Sequence, residues 1–182
     1  MKVVPIFPSD VDRVTEMFIE RSAHMPYYAE LAKQYGVETS EYINTVLKGQ
    51  FEEILKLNQS FGIIERDELT GYFLCFCIQH MQQHNKEAYN EIFKGAETLQ
   101  NTIDNFVGLT CFIICTDMIG KRQARDISKL FRTAIEEIGG SYSFVTDIVP
   151  DDILKDVLDK NGFKYSEVNG YKLYIRTYSR EW

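Results

Sequence analysis

Apolar residues recur along this chain at two spacings, and the switches between them mark out its elements. Residues 2–7 read as a short first strand. Ser9 and Asp12 then stand at capping-box spacing, and Val11, Val14, Met17 and Phe18 follow at helical spacing. Pro26 is expected to end or kink that helix near residues 24–28. A second helix begins at about residues 39–41 and carries Ile43, Val46, Leu47, Phe51, Ile54 and Leu55 on one face. Residues 61–66 and 71–78 read as the strands of a hairpin, joined by a polar turn through Asp67, Glu68, Leu69 and Thr70.

Three runs, 71–78, 108–115 and 142–149, are apolar on both faces, as suits central strands covered from both sides. Between the first two, residues 79–105 form a polar helical insert with Tyr89, Ile92, Phe93, Ala96 and Leu99 as its apolar positions. It is expected on the surface, outside the shared core, with Ile92, Phe93, Ala96 and Leu99 available for a homodimer contact. Ile127, Leu130, Phe131, Ala134, Ile135 and Ile138 form an amphipathic stripe stopped by Gly139 and Gly140. Pro150 and Asp151 open a short helix bearing Ile153, Leu154, Val157 and Leu158, closed by Asn161 and Gly162. Residues 163–168 and 171–178 make a last hairpin across Asn169-Gly170, a pair that favours a type I′ turn.

The order is β-α-α-β-β-(helical insert)-β-α-β-α-β-β, with no linker-like stretch. It predicts one α/β (α+β) domain over residues 1–182, with an insert at about 79–105. Its central sheet is mixed and mostly antiparallel, with helices on both faces. The net charge of −7 makes nucleic acid an unlikely partner, because an acidic field repels phosphate backbones. No apolar run is long enough to span a membrane or to serve as a signal peptide, so a cytoplasmic address without membrane contact is expected. Cys75, Cys77, Cys111 and Cys115 all lie in apolar strand-like runs. Strand periodicity puts each pair on one face of its own strand, so a four-thiolate cluster is conceivable if the strands are neighbours. Buried thiols in a reducing compartment are the better reading, and no metal is expected.

This order resembles the GNAT acyltransferase superfamily over nearly the whole chain, with residues 111–162 corresponding to its acyl-CoA strand, pyrophosphate loop, helix, next strand and short helix. Leu158-Asp159-Lys160-Asn161-Gly162-Phe163 resembles the family segment that ends in Gly-Phe. The resemblance implies transfer of an acetyl group from acetyl-CoA to an amine of a small molecule or protein. It also implies that the main chain of Cys115, Thr116 and Met118 borders the pantetheine arm. The family's loop R/Q-x-x-G-x-G/A presents backbone N–H groups and a helix N-terminus to the pyrophosphate. Here the register is Arg122-Gln123-Ala124-Arg125-Asp126-Ile127, so Arg125 and Ile127 stand where the family has small residues, and Gly120 lies upstream, out of register. Lys121, Arg122, Arg125, Lys129 and Arg132 concentrate positive charge at this loop and helix. The bland reading is a solvated helix face; the sharper one is an anion site made of Gly120, Lys121, Arg122, Gln123, Ala124 and Arg125.

Acyl transfer needs a base for the amine and an acid for the leaving thiolate. Where many family members have a tyrosine acid, this chain has Leu158, which fits the apolar face of its helix; Tyr142 and Tyr165 are the nearest other phenols. Asp117 and Asp147, at or near the ends of their strands, are the candidate bases in the cleft where those strands splay. His24, a third candidate base, falls with Tyr27 and Tyr28 between the first two helices, where the family commonly shapes its acceptor site. His80 and His84 are read as polar loop residues. The alternative to an enzyme is a GNAT-fold protein that has lost catalysis and binds a protein or an anion.

Overall fold

The computed structural model describes residues 2–94, 96–105, 109–118, 129, 132–133, 136–137, 142–147, 158–168 and 171–178. At 109, 111–118, 142, 147, 168, 171–172 and 178 the description is of the backbone. The chain starts with β1 (Lys2–Pro5), a 3₁₀ turn at Pro8–Asp10 and α1 (Val11–Ser22). The Asp10 carboxylate accepts the Phe7 N–H at 2.8 Å, so the polar contact before the helix is made by Asp10 rather than by the expected pair Ser9 and Asp12. Val11, Val14, Met17 and Phe18 are all buried, as their spacing predicted.

Pro26 does more than end α1. With its fixed φ and missing N–H it opens a separate helix, α2 (Pro26–Gln34), which the apolar spacing did not reveal. The expected second helix follows as α3 (Thr39–Tyr42), a π-helical turn at Ile43–Leu47 and α4 (Lys48–Leu55). Ile43, Leu47, Phe51, Ile54 and Leu55 are buried, with Val46 partly so.

Seven described strands form one sheet in the order β1-β2-β3-β4-β5-β7-β6. The others are β2 (Phe61–Glu65), β3 (Glu68–Cys77), β4 (Leu109–Met118), β5 (Tyr142–Asp147), β6 (Lys164–Val168) and β7 (Tyr171–Tyr178). All adjacent pairs are antiparallel except β4 and β5. The three doubly apolar runs, β3, β4 and β5, are interior strands, as expected. The β2–β3 turn is tighter than the sequence suggested. Glu65 pairs with Glu68, and Arg66 and Asp67 both take positive φ, 51° and 64°, as a two-residue hairpin turn requires. Gly62 is closely packed: a Cβ there would lie 2.4 Å from the Leu69 side chain and 2.7 Å from that of Ile6, so both would have to shift.

One face of the sheet presents Tyr72, Leu74, Phe76, Val145 and Leu173 to a core shared with the helices, where α1 packs on β4 and α4 on β3. The other face carries Phe73 and Phe144, both fully buried, with ring centroids 6.3 Å apart across β4. Arg176 pairs with Phe144 and its guanidinium donates to the Asn161 carbonyl, which brings the short helix containing Leu158–Lys160 to this second face. That helix closes as expected: Phe163 N–H reaches back to Leu158 O at 3.1 Å, and Gly162 takes the required left-handed φ of +80°. Residues 129, 132–133 and 136–137, between β4 and β5, are helical, while the stripe residues Ile127, Leu130, Phe131, Ala134, Ile135 and Ile138 lie outside the described residues. The turn at Asn169-Gly170, the stop at Gly139-Gly140 and the start at Pro150-Asp151 lie outside the described residues.

The insert is helical, as α5 (Ile78–His84), α6 (Lys86–Ile92) and α7 (Glu97–Asp104), but it is not outside the core. Tyr89, Phe93, Leu99 and Ile103 are buried in the main apolar cluster, and the Phe93 ring meets Phe76 of β3 at 6.5 Å. Of the face proposed for a dimer contact, Phe93 and Leu99 are covered within the chain, and Ile92 and Ala96 pack against the same cluster. Among the described residues, no helix is long and apolar enough to cross a membrane.

Candidate active site

The distinctive feature of the sheet is how β4 leaves β5. Their parallel pairing runs from Leu109↔Tyr142 to Phe112↔Val145 and stops, although both strands continue. Beyond that point β4 stays paired with β3 as far as Met118↔Gly71, and β5 stays paired with β7 as far as Asp147↔Leu173. The cause is local. Leu74 pairs with Cys115 and Cys75 with Ile113, so Ile114 is an extra residue in β4, a bulge two residues past the last β5 contact. Bulges bend a strand and sharpen its twist, which turns β4 away from its parallel neighbour. The result is an opening between two strand ends in which one edge of β4, from residue 113 to 118, has no strand partner among the described residues.

The predicted site residues distribute around this opening unevenly. Cys115, Thr116, Asp117 and Met118 all lie on the diverging stretch of β4, with Asp117 opposite Tyr72. Asp147 ends β5, opposite Leu173, on the far side of the opening. The two carboxylate-bearing residues therefore flank one cleft by backbone position. Gly120, Lys121, Arg122, Gln123, Ala124 and Arg125 lie outside the described residues. Lys129 and Arg132, the described members of the predicted basic cluster, are exposed. His24 is exposed in the bend between α1 and α2, where Met25 N–H bonds Ser22 O at 3.0 Å. Leu158 is buried and packs, as its periodicity implied, so the position where the resemblance implies a tyrosine acid is part of the core here. Tyr165 is half exposed on β6, with its ring against Tyr174.

The bulge also corrects the cysteine reading. Cys77 pairs with Cys111, but beyond Ile114 the parity of β4 is shifted, and Cys115 takes the register position of Leu74, whose face is opposite that of Cys75. The register thus breaks strand parity between Cys111 and Cys115. Cys75 and Cys77 are fully buried thiols. His80 and His84 stand on α5 rather than in a loop, and His80 Nδ1 is hydrogen-bonded to the Gln59 amide. Gln59 Oε1 accepts the Cys77 N–H at 2.7 Å, and Gln79 Oε1 accepts the Thr110 N–H at 3.0 Å and the Cys77 thiol at 3.3 Å. These amides tie β3, α5 and β4 together at the closed end of the seam. Sequence reasoning missed both the bulge and this polar tie. A continuous apolar run such as Cys111-Phe112-Ile113-Ile114-Cys115 carries no marker of where its parity slips.

No protein-family model matches the sequence, and no curated protein matches it. Solved structures do. The C-terminal condensation domain of Ebony, solved with β-alanyl-dopamine, superposes with a TM-score of 0.61 at 14% identity, covering 98% of each chain. The Drosophila melanogaster polyamine N-acetyltransferase gives 0.63 at 9% identity, covering 96% of this chain and 98% of that one. A GNAT-family acetyltransferase from Listeria monocytogenes gives 0.53 at 13% identity, covering 97% and 94%. The chain is thus similar to these proteins in its whole course, and its fold is GNAT-like.

Proposed function

We propose that this chain is an acyl-CoA-dependent N-acyltransferase that passes an acetyl group from acetyl-CoA to an amine. One observation carries the reading: the β4–β5 pairing ends at Phe112↔Val145, and among the described residues one edge of residues 113–118 has no strand partner. Main-chain N–H and C=O groups need partners, and an extended chain bearing amides, such as the pantetheine arm of CoA, supplies them as a missing strand would. In this reading Cys115, Thr116 and Met118 bond that arm through their main chain. Gly120, Lys121, Arg122, Gln123, Ala124 and Arg125 receive the pyrophosphate at the following helix N-terminus, with Arg122 and Arg125 adding charge-assisted bonds where the family uses glycine.

The acceptor amine then approaches the thioester from the open side. Its lone pair attacks the carbonyl carbon, the C–N bond forms and the C–S bond breaks. Its proton passes to Asp117, Asp147 or His24, directly or through water, and the thiolate leaves as the CoA thiol. With Leu158 in the core, the proton for that thiolate comes from another group or from solvent. A reducing cytoplasmic setting belongs to the same reading, given the buried thiols of Cys75 and Cys77.

Two observations favour a second reading, a protein that binds an anion or a partner without catalysis: Arg125 and Ile127 occupy the small-residue positions of the loop, and Leu158 is buried. Among the structures this chain is similar to, one is a polyamine N-acetyltransferase and another is a condensation domain solved with β-alanyl-dopamine, and both favour the first. Acetyl-CoA at a hundred times its dissociation constant is expected to stabilise the fold by about 2.7 kcal/mol. Replacing Arg122 and Arg125 together with glutamate is expected to abolish that stabilisation. No thermal shift at millimolar acetyl-CoA would reject the acyltransferase reading. A shift without acetyl transfer to any amine would leave the binding protein.

A further inference from the structure

Cys77 and Cys111 are register partners across the β3–β4 seam, and because β3 ends at Cys77 they form its last rung at the closed end. Both stand at the roots of the helical insert: Cys77 immediately precedes α5, and Cys111 is the third residue of β4. Directly opposed residues of an antiparallel pair have Cα atoms about 4.5–5.5 Å apart, inside the span of about 4.4–6.8 Å that a disulfide bridges. The other two cysteines lack this placement. Cys75 is opposite Ile113 and Cys115 is opposite Leu74. Diagonal neighbours such as Cys75 and Cys111 stand about 7–8 Å apart, too far for a bridge.

This rung is also where the seam is held least by its own ladder, since an end rung has a neighbour on one side only and frays first. Side chains hold it instead. Gln59 Oε1 accepts the Cys77 N–H at 2.7 Å, and Gln79 Oε1 accepts both the Cys77 thiol at 3.3 Å and the Thr110 N–H at 3.0 Å. Gln79 therefore joins the two roots of the insert, one through Cys77 and the other through Thr110. Cys77 is fully buried, so its thiol meets an oxidant only when these bonds open. Where thiols are otherwise kept reduced, a disulfide forms transiently and reports oxidation.

We propose that Cys77 and Cys111 are a site of reversible oxidation, bridged by exchange with a low-molecular-weight disulfide. One protein thiol, as its thiolate, attacks the small disulfide, forming a mixed disulfide and releasing one small thiol. The second attacks the protein sulfur of that intermediate, the Cys77–Cys111 S–S bond forms, and the other small thiol leaves. The two protein thiols are oxidised, the small disulfide is reduced, and both protons end on the released thiols. The bridge pins the roots of the insert to each other and closes a loop that carries α5, α6 and α7. Gln79 gates the reaction by holding the end rung shut. Nothing in this chemistry depends on acyl transfer.

The test incubates the reduced full chain with millimolar oxidised glutathione in native buffer, then unfolds it in an alkylating agent and weighs the intact protein. Two of the four thiols are expected to escape alkylation in the monomer, with no glutathione attached, and dithiothreitol is expected to restore them. Cys77→Ala and Cys111→Ala are each expected to abolish the bridge, and Cys75→Ala and Cys115→Ala to keep it. Fragmentation of the wild-type peptides locates the bond without any substitution, so the point is decided even where a variant fails to fold. Bridging is expected to raise the melting temperature by at least about 4 °C. Gln79→Leu is expected to form the bridge at least about fivefold faster, because the end rung opens more often. No bridge, a bridge only between two chains, a bond to Cys75 or Cys115, or an unchanged melting temperature on bridging would overturn the proposal. An unchanged rate in Gln79→Leu would overturn the gate.

Discussion

The two sides of β4 are built differently. Toward β3 it is paired from Cys111↔Cys77 to Met118↔Gly71, interrupted by one bulge, and its closed end is tied further by the side chains of Gln59 and Gln79. Toward β5 it has four register pairs and then, among the described residues, none. A strand cannot diverge on both sides and remain in a sheet. The continuous antiparallel seam lets the parallel one open, and the bulge at Ile114 sets where it does. The difference teaches that the candidate site is a property of the backbone before it is a property of any side chain. That is why a chain lacking the loop glycines and the tyrosine acid still has the cleft.

The largest expected effect comes from cutting the contact that spans both seams. Phe144 of β5 and Phe73 of β3 meet across β4, and Phe144→Ala is expected to cost about 3–5 kcal/mol, read from denaturant midpoints. A loss under about 1 kcal/mol would mean that the closed end is not held together from this face. Next is the polar tie. Gln79→Leu strands the buried Thr110 N–H, and is expected to cost about 1–3 kcal/mol. It should also raise hydrogen exchange at Thr110 and Cys111 more than at residues 113–118. Equal increases at both ends would erase the distinction between a tied seam and an open one.

The smallest effect lies away from both seams and serves as a control. Burial, then the neighbouring Tyr35 and Tyr27, raise the Tyr42 pKa, so the folded state holds the phenol proton more tightly than the unfolded chain does. Its contribution is therefore complete below about pH 10 and lost as pH rises toward about 12. Tyr42→Phe is expected to flatten that alkaline decline in urea midpoints while leaving acetyl-CoA stabilisation unchanged. A decline as steep in the variant as in wild type would assign it to other groups.

Much of this comparison was open to sequence reading, and the part that was not has physical causes. Double-sided apolarity identified β3, β4 and β5 as interior strands, because only covered strands tolerate it. The helical period identified Val14, Phe18, Phe51 and Ile54 as core. The helix α2 escaped because its residues are mostly polar or tyrosine, and because Pro26 reads equally as the end of one helix and the start of another. The insert's apolar positions were visible, but their destination was not: covering Phe76 with Phe93 is a tertiary choice that spacing does not encode. Asp117 and Asp147 were placed at the splayed strands from the resemblance, and the structure sets both residues on those strand ends.

Hydrogen exchange along β4, with and without acetyl-CoA, tests the central claim most directly. Without ligand, the amides of β4 that face β3 are expected to be protected, and those of residues 113–118 that face the opening to exchange fast. On adding acetyl-CoA, protection should rise at the latter and stay unchanged at Gly71, Phe73 and Cys75 of β3. If residues 113–118 exchange alike in both states, or if β3 gains the protection instead, the opening between β4 and β5 is not the acyl-CoA site.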